Sequence, residues 1–195
     1  MTTPQPRDEI IQSVRLWVER LVIGLNLCPF AKRELVKQRI RFSVSDAESE
    51  EDLLQELHHE LELLNRDDTI ETTLLIHPRV LTDFYDYNQF LDLADDLLIQ
   101  MQLEGSFQIA SFHPLYQFGG TEPDDVENYT NRSPYPILHL IREDSLEKAI
   151  NSHPDPDGIP QRNIDLMQDM GAEKIRALLQ SCFDDAGSMN KKRRF

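Results

Sequence analysis

Between Ser111 and Glu143 the chain reads SFHPLYQFGGTEPDDVENYTNRSPYPILHLIRE, a stretch unusually dense in side chains that do chemistry. His113 and His139 carry imidazoles suited to proton transfer near neutral pH. With Asp125 they also offer nitrogen and oxygen donors for a divalent metal such as zinc, manganese or iron, although no HxH or HxxxH spacing supports that use. Asn128, Asn131, Ser133 and Tyr135 add neutral polar groups. Arg132 supplies a rigid guanidinium fork matched to carboxylate or phosphate, and Arg142 can add to it. Loops longer than about 12–15 residues inside a compact domain are uncommon and are often functional. The expectation is a site for a small anion, with Gly119-Gly120 as the joint of a lid. The plainer alternative is that Arg132 ties the loop to Asp124 or Asp125 and that the histidines are structural.

A third reactive group is Cys28, in the phrase GLNLCPFAKR. Pro29 favours the first position of a helix, which would make Cys28 its cap, with Lys32 and Arg33 within a turn. A thiolate is favoured there, so a nucleophilic or redox role is an expectation. The residue at the CxxC position is Ala31, which excludes dithiol chemistry at this motif. Packing among Leu25, Leu27 and Phe30 is the competing reading. Cys182 reads as a packing residue.

These groups need elements to hold them. Ile10, Val14, Trp17 and Leu21 repeat at helical spacing, and Gly24 and Asn26 end that helix. Ile40, Phe42 and Val44 alternate as one face of a strand over 39–45. Leu53, Leu57, Leu61 and Leu64 form the stripe of a helix capped by Ser49. A strand spans 71–77. The next helix is expected to start from a Thr82 cap, run to about Gln102, and turn Phe90, Leu93, Leu97, Leu98 and Met101 inward. Strands follow at 107–113 and 137–142. A short helix begins at Asp144, and a final helical pattern runs from near Asn163 past Gly171 to Phe183.

This order predicts an α/β (α+β) fold with one mixed sheet of about four strands covered by helices. The core order is shared with thioredoxin-like folds, with Pro136 at their cis-proline position; ferredoxin-like packing is the alternative. If the last two strands pair antiparallel, His113 meets Pro136 and Ile137. His113 and His139 are then expected within one or two residues of each other across the ladder.

The 195 residues suit a single domain over residues 1–187, followed by a basic tail over residues 188–195 after a Gly-Ser break. A formal charge of −15 argues against a nucleic-acid binder, which needs clustered Lys and Arg. No apolar run reaches membrane-spanning length, and the N-terminus lacks a signal pattern, so a soluble cytoplasmic protein is expected.

The phrases Gly24–Ala31, Ala110–Pro114 and Asn128–Glu143 together resemble a bacterial family, domain of unknown function 1415. The resemblance runs from about Ile10 to Phe183. It implies one cytoplasmic domain and supplies no catalytic assignment. The residues alone point first to an enzyme acting on a small anionic metabolite. His113 would be its acid or base, with Arg132, Asn128 and Asn131 holding the substrate. The alternatives are a non-catalytic protein-interaction module and a thiol-dependent redox protein using Cys28. Reaction class, cofactor and oligomeric state are not legible.

Overall fold

A computed structural model describes residues 5–193, with side chains to residue 190. The chain is mixed α/β with one four-stranded sheet. Helix α1 (Arg7–Trp17) runs into a π-helical segment (Val18–Ile23), and the short α2 is Ala31–Val36. Then come β1 (Ile40–Val44), α3 (Glu50–Arg66), β2 (Thr72–Ile76), α4 (Phe84–Gln100) and β3 (Phe107–Phe112). A 3-10 turn (Val126–Thr130) lies within the long connection to β4 (Ile137–Arg142). Helices α5 (Glu143–Ser152), α6 (Ile159–Met170) and α7 (Ala172–Arg193) complete the chain.

The strand order is β1-β2-β4-β3; β1 and β2 are parallel, and β4 runs antiparallel to both neighbours. Successive side chains of a strand point to opposite faces, so the sheet separates two apolar clusters. One holds Leu53, Leu57, Leu61 and Leu64 of α3, Phe90 and Leu97 of α4, and Leu138 and Leu140 of β4. The other holds Val14, Trp17 and Leu21 with Val44, Leu74, Ile76 and Ile137. A smaller cluster joins Leu27 and Tyr129 to Met167 and Ile175.

Several local expectations are corrected. Asp83, not Thr82, caps α4, because its carboxylate accepts from the amides of Tyr85 and Asp86. Leu93 is 45% exposed, so it lies outside the stripe that Phe90 and Leu97 define. The last helical pattern is two helices, parted at Gly171, whose φ of 76° is left-handed. Gly187 and Ser188 do not break α7, which carries on to Arg193; the tail side chains Lys191–Arg194 lie outside the described residues. No cis peptide bond occurs among the described residues, Pro136 included. No described helix is long and apolar enough to cross a membrane.

Candidate functional site

The long connection spends its polar groups on itself. Asn128 is fully buried: its Oδ1 accepts from Phe118 N (3.0 Å) and Thr121 Oγ1 (2.8 Å), and its Nδ2 donates to Glu122 O (2.8 Å). Asn131 Nδ2 donates to Ser111 O (3.2 Å), and Ser133 Oγ to Tyr135 O (2.6 Å). Tyr135 OH donates to Gln5 Oε1 at 2.7 Å. Arg132 does tie the loop down, but through carbonyls instead of Asp124 or Asp125. Its Nε and Nη2 donate to Tyr116 O (3.2 Å) and Pro123 O (2.6 Å), over the ring of Tyr129. Arg142 donates to the carbonyls of Ile70 (3.1 Å), Asp67 (3.1 Å) and Leu64 at the end of α3. Buried polar groups need partners, and here the loop supplies them internally.

The two histidines do not converge. Phe112 pairs with Ile137 and Ala110 with His139, which leaves His113 level with Pro136. Position 139 is three along from 136, an odd step, so the imidazoles take opposite faces of the sheet. His113 is fully buried against Phe84 and Tyr87; its Nε2 bonds Leu81 O (3.1 Å) and its Nδ1 accepts from Leu115 N (3.0 Å). Asp125 stands just before the 3-10 turn without capping it through its side chain; its Oδ2 accepts from Glu122 N (2.8 Å) within the loop. Among the described residues no group of three or more His, Cys, Asp or Glu side chains is arranged to hold a metal, so His113, His139 and Asp125 are not a ligand set.

On the other face, His139 and Cys28 share a cavity of about 440 Å³. Its floor is the sheet: Ile40, Thr72, Leu74, His139, Ile141, Ala110 and Phe112. His139 stands mid-sheet between Leu74 of β2 and Ala110 of β3, and the small Ala110 leaves room above the strands. Trp17, Val18 and Val22 form one wall, and Leu146 and Ala149 of α5 another. The turn Cys28-Pro29-Phe30 and the start of α2 close a third side.

The wall from α1 explains where Cys28 sits. The π-helical segment ends with Leu27 N and Cys28 N both bonded to Val22 O (2.9 and 3.3 Å), which folds the chain back over the cavity. π-helical segments are rare and frequent at functional sites. Gly24 is required here, because a Cβ would lie 2.2 Å from Arg20 O. Helix α2 begins at Ala31 with Phe30 as its cap, so Cys28 is not at the helix terminus as expected. Burial raises its thiol above the usual value, opposed in part by the amides of Phe30 and Ala31. The expected thiolate is therefore replaced by a protonated thiol.

His139 is held as a neutral ring, pushed down to about 4 by burial. Thr72 Oγ1 donates to Leu140 O (2.5 Å) and so accepts from His139 Nε2 at 2.7 Å. The proton is thereby fixed on Nε2, and Nδ1 keeps its lone pair. No described side chain or backbone group bonds that Nδ1, and it is not among the sealed, unpartnered atoms. At the rim, Arg33 and Arg39 bracket Glu34 (2.5 and 2.8 Å), and Arg39 also pairs with Glu71. Burial pushes the Glu34 carboxyl up, but the two arginines outweigh it and hold it below its usual range.

Thr72, Ala110 and Trp17 also belong to the site and carry no sequence signal for it. Thr72 lies in a strand buried at every position, where no polar alternation marks a face. A lone Ala or Trp in an apolar pattern reads as core, and only the shared cavity marks these two.

No curated protein and no solved structure gives a significant match. The family described as protein of unknown function (DUF1415) matches residues 9–177, a span that includes every wall of the cavity. The chain belongs to that family.

Proposed function

We propose that this protein binds a small, largely apolar molecule in the cavity over the sheet, with His139 Nδ1 accepting a hydrogen bond from it. The observation that carries this reading is the cavity itself. It is concave, its floor and walls are mainly apolar, and His139 and Cys28 are among the few polar residues that line it. Ligand sites commonly combine an apolar lining with a few oriented polar groups. A docking module would instead use a flat exposed surface.

Trp17, the one tryptophan of the chain, lines the cavity and serves as its reporter. Cyclohexanol, which carries a hydroxyl donor, is expected to shift Trp17 fluorescence saturably. It should bind about fivefold more tightly than cyclohexanone, the worth of one net hydrogen bond of about 1 kcal/mol. Ala110→Leu fills the cavity and is expected to abolish the shift while the far-ultraviolet circular dichroism stays unchanged. A wild-type titration without saturation, or an Ala110→Leu variant that titrates like wild type, overturns the reading.

A second reading keeps the small anion and moves it from the loop to this rim. Arg33, whose side chain is 61% exposed, lines the cavity, so an apolar ligand with a carboxylate head could be met there. Cyclohexanecarboxylate binding more tightly than cyclohexanol, and losing that advantage in Arg33→Gln, would favour it.

A further inference from the structure

The apolar lining of the cavity is not uniform. Trp17, Phe112 and His139 all line it, and their rings form one continuous arc. The centroids of Trp17 and Phe112 lie 5.2 Å apart at 72°, edge to face. Those of Phe112 and His139 lie 6.0 Å apart at 45°. The arc therefore runs from the α1 wall, across β3, to the middle of the sheet. The ring donors of the arc are engaged elsewhere: Trp17 Nε1 donates to Arg132 O at 3.1 Å, and His139 Nε2 to Thr72 Oγ1 at 2.7 Å. What the arc leaves for a ligand is mainly ring surface. Aromatic pairs with centroids about 4.5–7 Å apart are favoured beyond the area they bury, and a saturated ring of equal size lacks that increment.

The α5 wall lacks a protein partner. Helix α5 has no buried residue, although Leu146 and Ala149 line the cavity and Ile150 beside them is 37% exposed. An amphipathic helix packed on a core buries such a stripe, and here the cavity stands where that core would be. The space exceeds a single ring. A cavity of about 150 Å³ holds benzene, and this one measures about 440 Å³. We propose that the cavity takes planar aromatic molecules of two fused rings against the Trp17–Phe112–His139 arc, with Phe112 selecting aromatic over saturated rings. This rests on the ligand-binding reading above and narrows its ligand class. Phe112 is the middle ring, in contact with both neighbours, so its loss divides the arc. Trp17 and His139 also hold the fold through their hydrogen bonds, which makes Phe112 the cleaner residue to change.

The test compares 2-naphthol with decahydro-2-naphthol, which share a carbon skeleton and a hydroxyl group and differ in aromaticity. Isothermal titration calorimetry of the full chain is expected to show about tenfold tighter binding of 2-naphthol. In Phe112→Leu, which keeps His139 and Thr72, that preference should fall to about threefold or less, with decahydro-2-naphthol within about twofold of wild type. The phenolic hydroxyl is also the better donor, but that share of the preference survives Phe112→Leu. Only the part lost with the ring measures the arc. If Phe112→Leu loses its far-ultraviolet circular dichroism, the wild-type methyl resonance of Ala110 decides instead. Ala110 lines the cavity two residues from Phe112 on the same face of β3. The ring current of 2-naphthol should shift that resonance, and decahydro-2-naphthol should leave it near its free position. A wild-type preference under about twofold, an unchanged preference in folded Phe112→Leu, or an Ala110 methyl that responds equally to both alcohols overturns the proposal. Saturable cyclohexanol binding without an aromatic preference overturns this inference alone. Absence of saturable binding by all three alcohols overturns the binding reading as well.

Discussion

Buried histidines dominate at the scale of single residues. His77 is stacked on Tyr87, donates through Nδ1 to Val80 O (3.0 Å), and leaves Nε2 sealed without a partner. His113 bonds the neighbouring carbonyl of Leu81, so two imidazoles hold a turn in which Leu81 adopts the left-handed φ of 55°. Burial pushes His77 and His139 down to about 4 and lowers His113 too. Between that value and the unfolded 6.5 the unfolded chain binds more protons, so stability rises with pH across this window. The contribution is fully present above about pH 6.5 and is lost as pH falls to about 4. Each of the two strongly shifted rings accounts for about 3 kcal/mol. Urea unfolding at pH 7 and pH 4.5 should show the loss, and His77→Gln should remove roughly half of the difference, leaving the share of His139. His113→Ala is expected to destabilise by about 2–3 kcal/mol in urea at pH 7, because it removes two buried hydrogen bonds. A fold unaffected by that change would return His113 to the list of site residues.

Elements position the cavity, and the π-helical segment matters most among them. It widens the end of α1, brings Val22 O within reach of two amides, and returns Cys28 towards the sheet. Gly24→Ala should push against Arg20 O and cost about 1–3 kcal/mol, read as a lower urea midpoint. It should also weaken cyclohexanol binding, since Val22 and Cys28 move together. Helices were the easier elements to read from sequence. The Leu53–Leu64 stripe and the Ser49 cap are local patterns, and Ser49 Oγ indeed accepts from Asp52 N at 3.1 Å. The Leu93 and Thr82 assignments failed for a local reason as well. Cap and face depend on side-chain direction within a single turn, where adjacent residues compete on near-equal terms.

Across the whole molecule the sheet acts as a partition. Leu61 lies fully buried in the cluster on the α3–α4 side, away from the cavity. Leu61→Ala should cost about 2–5 kcal/mol by calorimetry or urea unfolding and still leave cyclohexanol affinity within twofold of wild type, as a rough allowance for distant sites. An equal loss of binding would mean that the two faces are coupled. The same partition separates what local sequence specifies from what it does not. Periodicity, caps and turn residues determined the order of elements, the mixed α/β class and most of the core, because those signals act within a few residues of chain. The phrases around Cys28 and His139 also marked both as reactive groups. Which of them meet was decided by tertiary structure. One odd step along β4 sends His139 to the face opposite His113, and a π-helical turn more than a hundred residues earlier in the sequence brings Cys28 to that same face. Face and register are set by strand pairing between distant segments, and no local pattern carries that information.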